Sequence, residues 1–245
     1  MSFVVFTSDK YLPVLKGFST LFNKYWGEEH EVNILGFKSP TFALPSNFKF
    51  ISAGKQSEYK PKDFCGPFKK ILQDLPCDTL TYFLEDTFPI APVDFEAYEE
   101  ARGLIESGTA QKVQLFWGGK EQYTQTMPFN ETFREFPQHI NYRCNLAPSV
   151  IDKDYFLQYF QEGMTMWDFE IGNMENARHD GAHILVSWKA PVAPWFNVIR
   201  QGRFNNQMWQ RIESSSENRF GWNPFQYLNP ADIPVITQYQ KWEAK

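Results

Sequence analysis

Apolar positions in the first half of the chain follow two alternating rhythms. Short uninterrupted runs, Phe3-Val4-Val5-Phe6, residues 31–37, Phe48-Lys49-Phe50-Ile51 and residues 80–84, each give way to polar or small residues. Strands buried on both faces have this pattern. Between the runs, apolar residues recur at three- and four-residue steps. Leu12, Leu15, Phe18, Leu21, Phe22 and Tyr25 do so in residues 11–26, and Phe64, Phe68, Ile71, Leu72 and Leu75 in residues 62–75. That spacing lines one face of a helix. Residues 93–107 form a third such stretch, stopped by Gly108, and residues 112–117 read as a further strand. Strand and helix alternate, which predicts βαβ units with parallel strands and right-handed crossovers. The expected fold class is α/β, a mostly parallel central sheet flanked by helices.

The second half is less regular. Tyr155, Phe156, Tyr159 and Phe160, preceded by Asp152 and Asp154 and followed by Gly163, predict one capped helix. Beyond Trp167 the chain is rich in Pro, Asn, Gly and aromatics, the composition of loops and short strands packed on the first half. No linker interrupts the sequence, so residues 1–245 are expected to form a single domain with halves 1–120 and 121–245.

Composition narrows the classes. With 24 Phe, 8 Trp and 11 Tyr among 245 residues, the chain has more aromatic surface to bury than a disordered one. A chain of this length buries roughly three quarters of its unfolded surface. The net charge of −5 comes without a basic block, which argues against nucleic acid as the main partner. Cys65, Cys77 and Cys144 are odd in number and dispersed, neither a disulfide framework nor a zinc site, and suit a reducing cytoplasm. No apolar stretch reaches the length of a membrane span, so any membrane association is expected to be peripheral.

Two acidic constellations carry the candidate chemistry. The run Leu80-Thr81-Tyr82-Phe83-Leu84 ends in Glu85-Asp86, and in open α/β sheets ligands gather beyond the carboxyl ends of such strands. Hard oxygen ligands suit Mg²⁺ or Mn²⁺, which bridges to phosphate. The alternative is that Glu85 caps a helix or pairs with a lysine while Asp86 opens a turn. In Trp167-Asp168-Phe169-Glu170 a desolvated carboxylate between aromatics suits a general base. The alternative there is an amphipathic turn with both rings in the core and both acids in water. His179 and His183 could add metal ligands. Arg143, Lys189, Arg200 and Arg203 could contact phosphate or be surface charges, and Trp188 and Trp195 could stack on a sugar or pack in the core. The sequence contains no nucleophile-elbow, dinucleotide or P-loop motif.

Taken in order, Phe6-Thr7-Ser8-Asp9-Lys10-Tyr11, Lys24-Tyr25-Trp26, Tyr82-Phe83-Leu84-Glu85-Asp86, residues 145–156 and Trp167-Asp168-Phe169-Glu170 resemble an uncharacterised bacterial and viral glycosyltransferase-like family. That family is similar to the GT-A class of nucleotide-sugar-dependent glycosyltransferases. The resemblance runs from Phe3 to about Asn205. It implies a GT-A-like domain that moves a sugar from a nucleotide-diphosphate donor to a glycan or other hydroxyl acceptor, with Mn²⁺ or Mg²⁺ as cofactor. By that resemblance Thr7, Ser8, Asp9 and Tyr11 bind the nucleotide sugar, and Glu85 and Asp86 serve the metal and diphosphate. His179 adds a metal ligand, and Glu170 or Asp168 is the base. The Glu-Asp-Thr sequence departs from the Asp-x-Asp spacing of the class. This leaves metal dependence open, and with it a second class, a non-catalytic carbohydrate- or partner-binding protein on the same scaffold.

Overall fold

The uninterrupted apolar runs become four adjacent strands on one side of a nine-stranded sheet, with the run at residues 48–52 at its edge. The computed structural model describes residues 2–60, 62–116, 125–188, 190–213 and 228–243. Strand β1 (Ser2–Phe6) leads through helix α1 (Leu15–Trp26) to β2 (Val32–Gly36) and β3 (Phe48–Ser52), and α2 (Cys65–Asp74) leads to β4 (Thr79–Leu84). A short β5 (Thr87–Pro89), α3 (Phe95–Glu106), β6 (Lys112–Gln114), β7 (Met127–Pro128) and β8 (Phe133–Glu135) follow. Then come β9 (Ser149–Asp152), α4 (Lys153–Gln158), α5 (Met174–Ala177), β10 (Ile184–Ser187) and β11 (Trp195–Asn197). The hairpin β12 (Ile199–Arg200) and β13 (Arg203–Phe204) precedes α6 (Asn206–Glu213) and α7 (Ile233–Thr237).

The sheet order is β3-β2-β1-β4-β9-β6-β10-β8-β7, and β5 pairs separately with β11. β1 is parallel to β2 and β4, β2 to β3, and β6 to β10. β9 enters antiparallel between β4 and β6, so strands from both halves of the chain share the sheet.

Continuous apolar runs are needed because both faces are covered. Successive side chains on a strand point to opposite faces. In β1, Phe3 and Val5 join a core with Phe18, Phe22 and Trp26 of α1 and Tyr98 of α3. Val4 and Phe6 join a second core with Phe68 and Leu72 of α2 and Phe156 of α4. Tyr82 stacks on Phe156 in that second core, with ring centroids 4.8 Å apart and 7° between planes.

Element ends differ from the sequence pattern for local reasons. Helix α1 begins at Leu15 rather than residue 11, because Asp9–Val14 forms a 3-10 turn containing Pro13. Proline has no N–H to donate to the preceding turn. Helix α2 is shorter than residues 62–75. Lys62 takes a positive φ of 67°, and Leu75, which precedes Pro76, is extended with ψ 129°. Asp94 caps α3 by accepting the Ala97 N–H at 3.1 Å, and Asp152 caps α4 by accepting the Tyr155 N–H at 2.7 Å. The strand expected over residues 112–117 ends at Gln114, and Trp117 lies outside the described residues.

Residues 228–243 dock on α1. The Tyr239 hydroxyl accepts the Gly17 N–H at 3.1 Å and donates toward Pro13 O at 3.1 Å, while Lys24 pairs with Asp232 at 2.5 Å. Gly17 has to be glycine, since a Cβ there would meet the Phe88 ring at 2.5 Å. Among the described residues no helix is long and apolar enough to cross a membrane. Cys65, Cys77 and Cys144 are free thiols.

Candidate functional site

Strand register decides which loop residues meet. Phe6 lies opposite Leu35 on one side and Leu84 on the other. The ladder runs one residue past the strands, with the Thr7 N–H donating to Leu35 O at 2.9 Å and the Glu85 N–H to Phe6 O at 3.2 Å. Thr7 and Glu85 therefore stand side by side at the carboxyl edge of the sheet. Glu85 and Asp86 form the two-residue connection from β4 to β5, fixed by Thr87 Oγ1 donating to Leu84 O at 2.6 Å and the Val198 N–H donating to Asp86 O at 2.8 Å.

This turn encloses its acids. Glu85 is buried, and Asp86 Oδ1 is enclosed without a hydrogen-bond partner. Burial raises both carboxyls above their usual range, Asp86 to about 7, and the charge of Asp86 raises Glu85 further. No salt bridge among the described residues includes either acid. Against the effect of burial, the charge of Lys10 lowers Glu85, and the Lys10 ammonium sits 4.6 Å from the Tyr11 ring centroid. The Tyr11 hydroxyl is raised by burial and then by the charges of Glu85 and Asp86. Ser8 Oγ is likewise enclosed and unpartnered. Asp9 has another task. It accepts the Lys38 N–H at 2.9 Å, and its own N–H donates to Gln56 Oε1 at 3.3 Å, tying the loop after β1 to the loops after β2 and β3.

A second acid reaches the same edge through β9. Ser149 pairs with both Tyr82 and Gln114, so the residues just before it run past the carboxyl ends of β4 and β6. There the Leu146 N–H donates to Glu170 Oε1 at 2.7 Å. Glu170 sits in a π-type turn, Asp168–Gly172, anchored by the buried Phe169. Burial raises the Glu170 carboxyl, against the Leu146 N–H and the Lys112 charge, which lower it. Lys112 is itself 1% exposed, and burial brings its ammonium down to about 8. It donates to Asn145 O at 2.7 Å and Asn145 Oδ1 at 3.0 Å.

A chain with buried acids along the carboxyl edge of a parallel sheet invites comparison with known folds. No protein-family model and no curated protein matches the sequence. Among solved structures, residues 1–349 of S. aureus TarS superpose with a TM-score of 0.53 at 10% identity, over 98% of this chain and 70% of that one. The chain shares its fold with TarS. The same TarS fragment in complex with UDP-GlcNAc gives a TM-score of 0.51 at 13% identity, over 98% of this chain and 71% of that one. A cytidylyltransferase from Leptospira borgpetersenii matches at 9% identity with a TM-score of 0.47, over 97% of this chain and 93% of that one.

Thr7, Ser8, Tyr11, Glu85 and Asp86 gather at one sheet edge as a group, and Glu170 reaches that edge from the second half. Other expectations are corrected. Trp167 does not share the core with Phe169; it is 63% exposed and screens neither acid. Asp168 is exposed and closes a turn, accepting the Thr165 N–H at 2.9 Å while its own N–H donates to Thr165 Oγ1 at 3.0 Å. Hydrogen bonding from the Thr165 backbone and side chain lowers its carboxyl, the reverse of what a base requires. His179 and His183 do not share a helical face, because α5 ends at Ala177 and Gly181 takes a φ of 74°. His179 meets Glu175 at 3.3 Å and His183 meets Glu135 at 2.7 Å. Among the described residues no group of three or more His, Cys, Asp or Glu could hold a metal ion, so His179 does not join Glu85 and Asp86. Arg143 is no surface charge, being 1% exposed, whereas Arg200 and Arg203 are exposed. Lys189 lies outside the described residues. Trp188 is half-buried with Arg134 over its ring at 5.3 Å, and Trp195 packs on Phe116 at 5.0 Å.

Two residues beside the acids carried no local signal. Lys10 reads as one polar residue of a loop, and Lys112 as the polar start of a strand. Their nearness to Glu85 and Glu170 is created by the sheet register alone.

The Glu85-Asp86 pair fits a divalent cation. An enclosed carboxylate oxygen without a partner, next to a second buried carboxylate, offers hard-oxygen donors of the kind such a cation takes. Two such ligands suit Mg²⁺ or Mn²⁺, which complete their shells with phosphate oxygens and water.

Proposed function

We propose that this chain transfers a sugar from a nucleoside-diphosphate donor to a hydroxyl acceptor. The observation that carries the reading is the unpartnered Asp86 Oδ1 beside buried Glu85 at the carboxyl edge of the sheet. The fold shared with TarS, which has been solved with UDP-GlcNAc, supports a nucleotide sugar as the donor.

In this reading Glu85 and Asp86 would hold Mn²⁺ or Mg²⁺, which would neutralise charge on the diphosphate leaving group. Lys10 adds a positive charge that Glu85 feels, and Thr7, Ser8 and Tyr11 offer hydroxyls to the nucleotide. Asp9 fixes the loop that carries them. Glu170 accepts the proton of the acceptor hydroxyl as the acceptor oxygen bonds to the anomeric carbon and the bond to diphosphate breaks. Leu146 occupies only Oε1 of that carboxylate, leaving Oε2 for the proton. The first half of the chain thus serves the donor and the second half the acceptor.

Calorimetric titration with UDP-GlcNAc and a panel of nucleoside diphosphates, with and without Mn²⁺, tests the proposal. Binding strengthened by Mn²⁺ is expected, and Asp86→Asn is expected to lower turnover by about 10²-fold or more. Failure to bind any nucleotide would sink the reading, and glycan binding in its absence would favour the non-catalytic alternative.

A further inference from the structure

With Glu170 as the proton acceptor proposed above, the buried Lys112 acquires a role. A full charge taken out of water under a sheet is expensive, and a methionine would fill the same space. The ammonium has a defined set of partners. It donates to Asn145 O at 2.7 Å, Asn145 Oδ1 at 3.0 Å and Arg143 O at 3.5 Å. Asn145 is gripped further by the Tyr82 hydroxyl, which donates to its carbonyl at 3.0 Å. Its own Nδ2 donates to Gln114 Oε1 at 3.0 Å and Tyr142 O at 2.8 Å. The next residue, Leu146, supplies the N–H that holds Glu170.

We propose that Lys112 is a positioning residue for Glu170: by gripping Asn145 through both its backbone and side-chain oxygens, the ammonium sets the Leu146 N–H that aims the carboxylate. Its charge also favours the ionised form of Glu170, the form that accepts a proton. The titratable and charged groups facing this cluster are Tyr82 from β4, Arg143 and Cys144 from the loop before β9, and Glu170 from the π-type turn. Of these, Cys144 and Glu170 favour the charged ammonium and Arg143 opposes it.

Carbon-13 NMR of glutamate-labelled protein, with the Glu170 carboxyl assigned by its loss in Glu170→Gln, reads the coupling directly. Lys112→Met is expected to raise the Glu170 titration midpoint by about half a pH unit or more. Lys112→Arg keeps the charge and is expected to stay nearer the wild type. An unchanged midpoint in folded Lys112→Met overturns the proposal. If that variant does not fold, Asn145→Ala removes the side-chain grip without removing a charge; a smaller rise supports the proposal and no rise overturns it. The pH dependence of UDP release from UDP-GlcNAc separates the two readings. An acidic limb that moves with the NMR midpoint supports both. A midpoint that moves while the limb does not keeps the Lys112 coupling and overturns Glu170 as the base.

Discussion

Two regions of the molecule bury a carboxylate, and they do so in opposite ways. Asp180 accepts from Arg143 Nη2 at 3.3 Å, the Ala182 N–H at 2.9 Å, and the Tyr155 and Tyr159 hydroxyls at 2.8 and 2.6 Å. Arg143 spends its remaining donors on the carbonyls of Ala177, Phe136, Pro137 and Ala182. Glu85 and Asp86 lie in an equally enclosed turn with no ion-pair partner among the described residues, and one oxygen of Asp86 has no hydrogen bond. A satisfied buried charge ties segments together. An unsatisfied one is held at a cost to the fold and is open to an incoming positive group. Burial alone distinguishes neither; the partners do.

The comparison breaks if neutralising the two regions has the same effect. Arg143→Met leaves Asp180 buried without its cation and takes a donor from four carbonyls, of which Pro137 O keeps the Ile140 N–H and Ala182 O keeps Gln138 Nε2, so a loss of about 3–5 kcal/mol is expected in urea unfolding at pH 7. A change below about 1 kcal/mol would show that Asp180 is not the structural tie described.

Asp86→Asn is expected to do the reverse at high pH. Burial pushes its carboxyl up to about 7 in the folded protein, against about 3.9 in an unfolded chain. The folded state therefore keeps a proton that the unfolded state has released, and stability falls as pH rises from about 4 to about 7. The asparagine variant lacks this loss. Without divalent cation it is expected to exceed the wild type by on the order of 2 kcal/mol at pH 8, with the gain vanishing toward pH 4. Thermal melts of both proteins across this range check the sign, and a pH-independent difference would count against it.

Tyr155→Phe sharpens the comparison at its smallest scale. Asp180 Oδ2 keeps the Tyr159 hydroxyl, so the loss is expected to be about 1 kcal/mol. A loss as large as that of Arg143→Met would mean that the phenols, and not the guanidinium, carry the tie.

Much of the first half was legible in the sequence, because the strands β1 to β4 and the helices between them are set by local periodicity. The same logic placed Glu85-Asp86 at a strand end. Site parts depending on register between distant segments were not legible. β9 is four residues long, and nothing local says that it enters antiparallel between β4 and β6. Yet this pairing brings Leu146 to Glu170 and buries Lys112. Arg143 looked like a surface charge because its partners come from residues 136–137 and 177–182. Trp167 and Phe169 show the opposite error, two similar rings in one motif of which only Phe169 finds a core.

The Tyr239 hydroxyl bridges Pro13 and Gly17, at the foot of the turn that carries Lys10 and Tyr11, across 222 residues from the Gly17 N–H. The first loop of the site is thus secured by a segment synthesised 222 residues after Gly17. A nascent chain can pair β1 with β2 early, but the clamp on its donor-side loop closes only after residue 239 has left the ribosome. Completion of that loop waits on a segment far downstream of it in the chain.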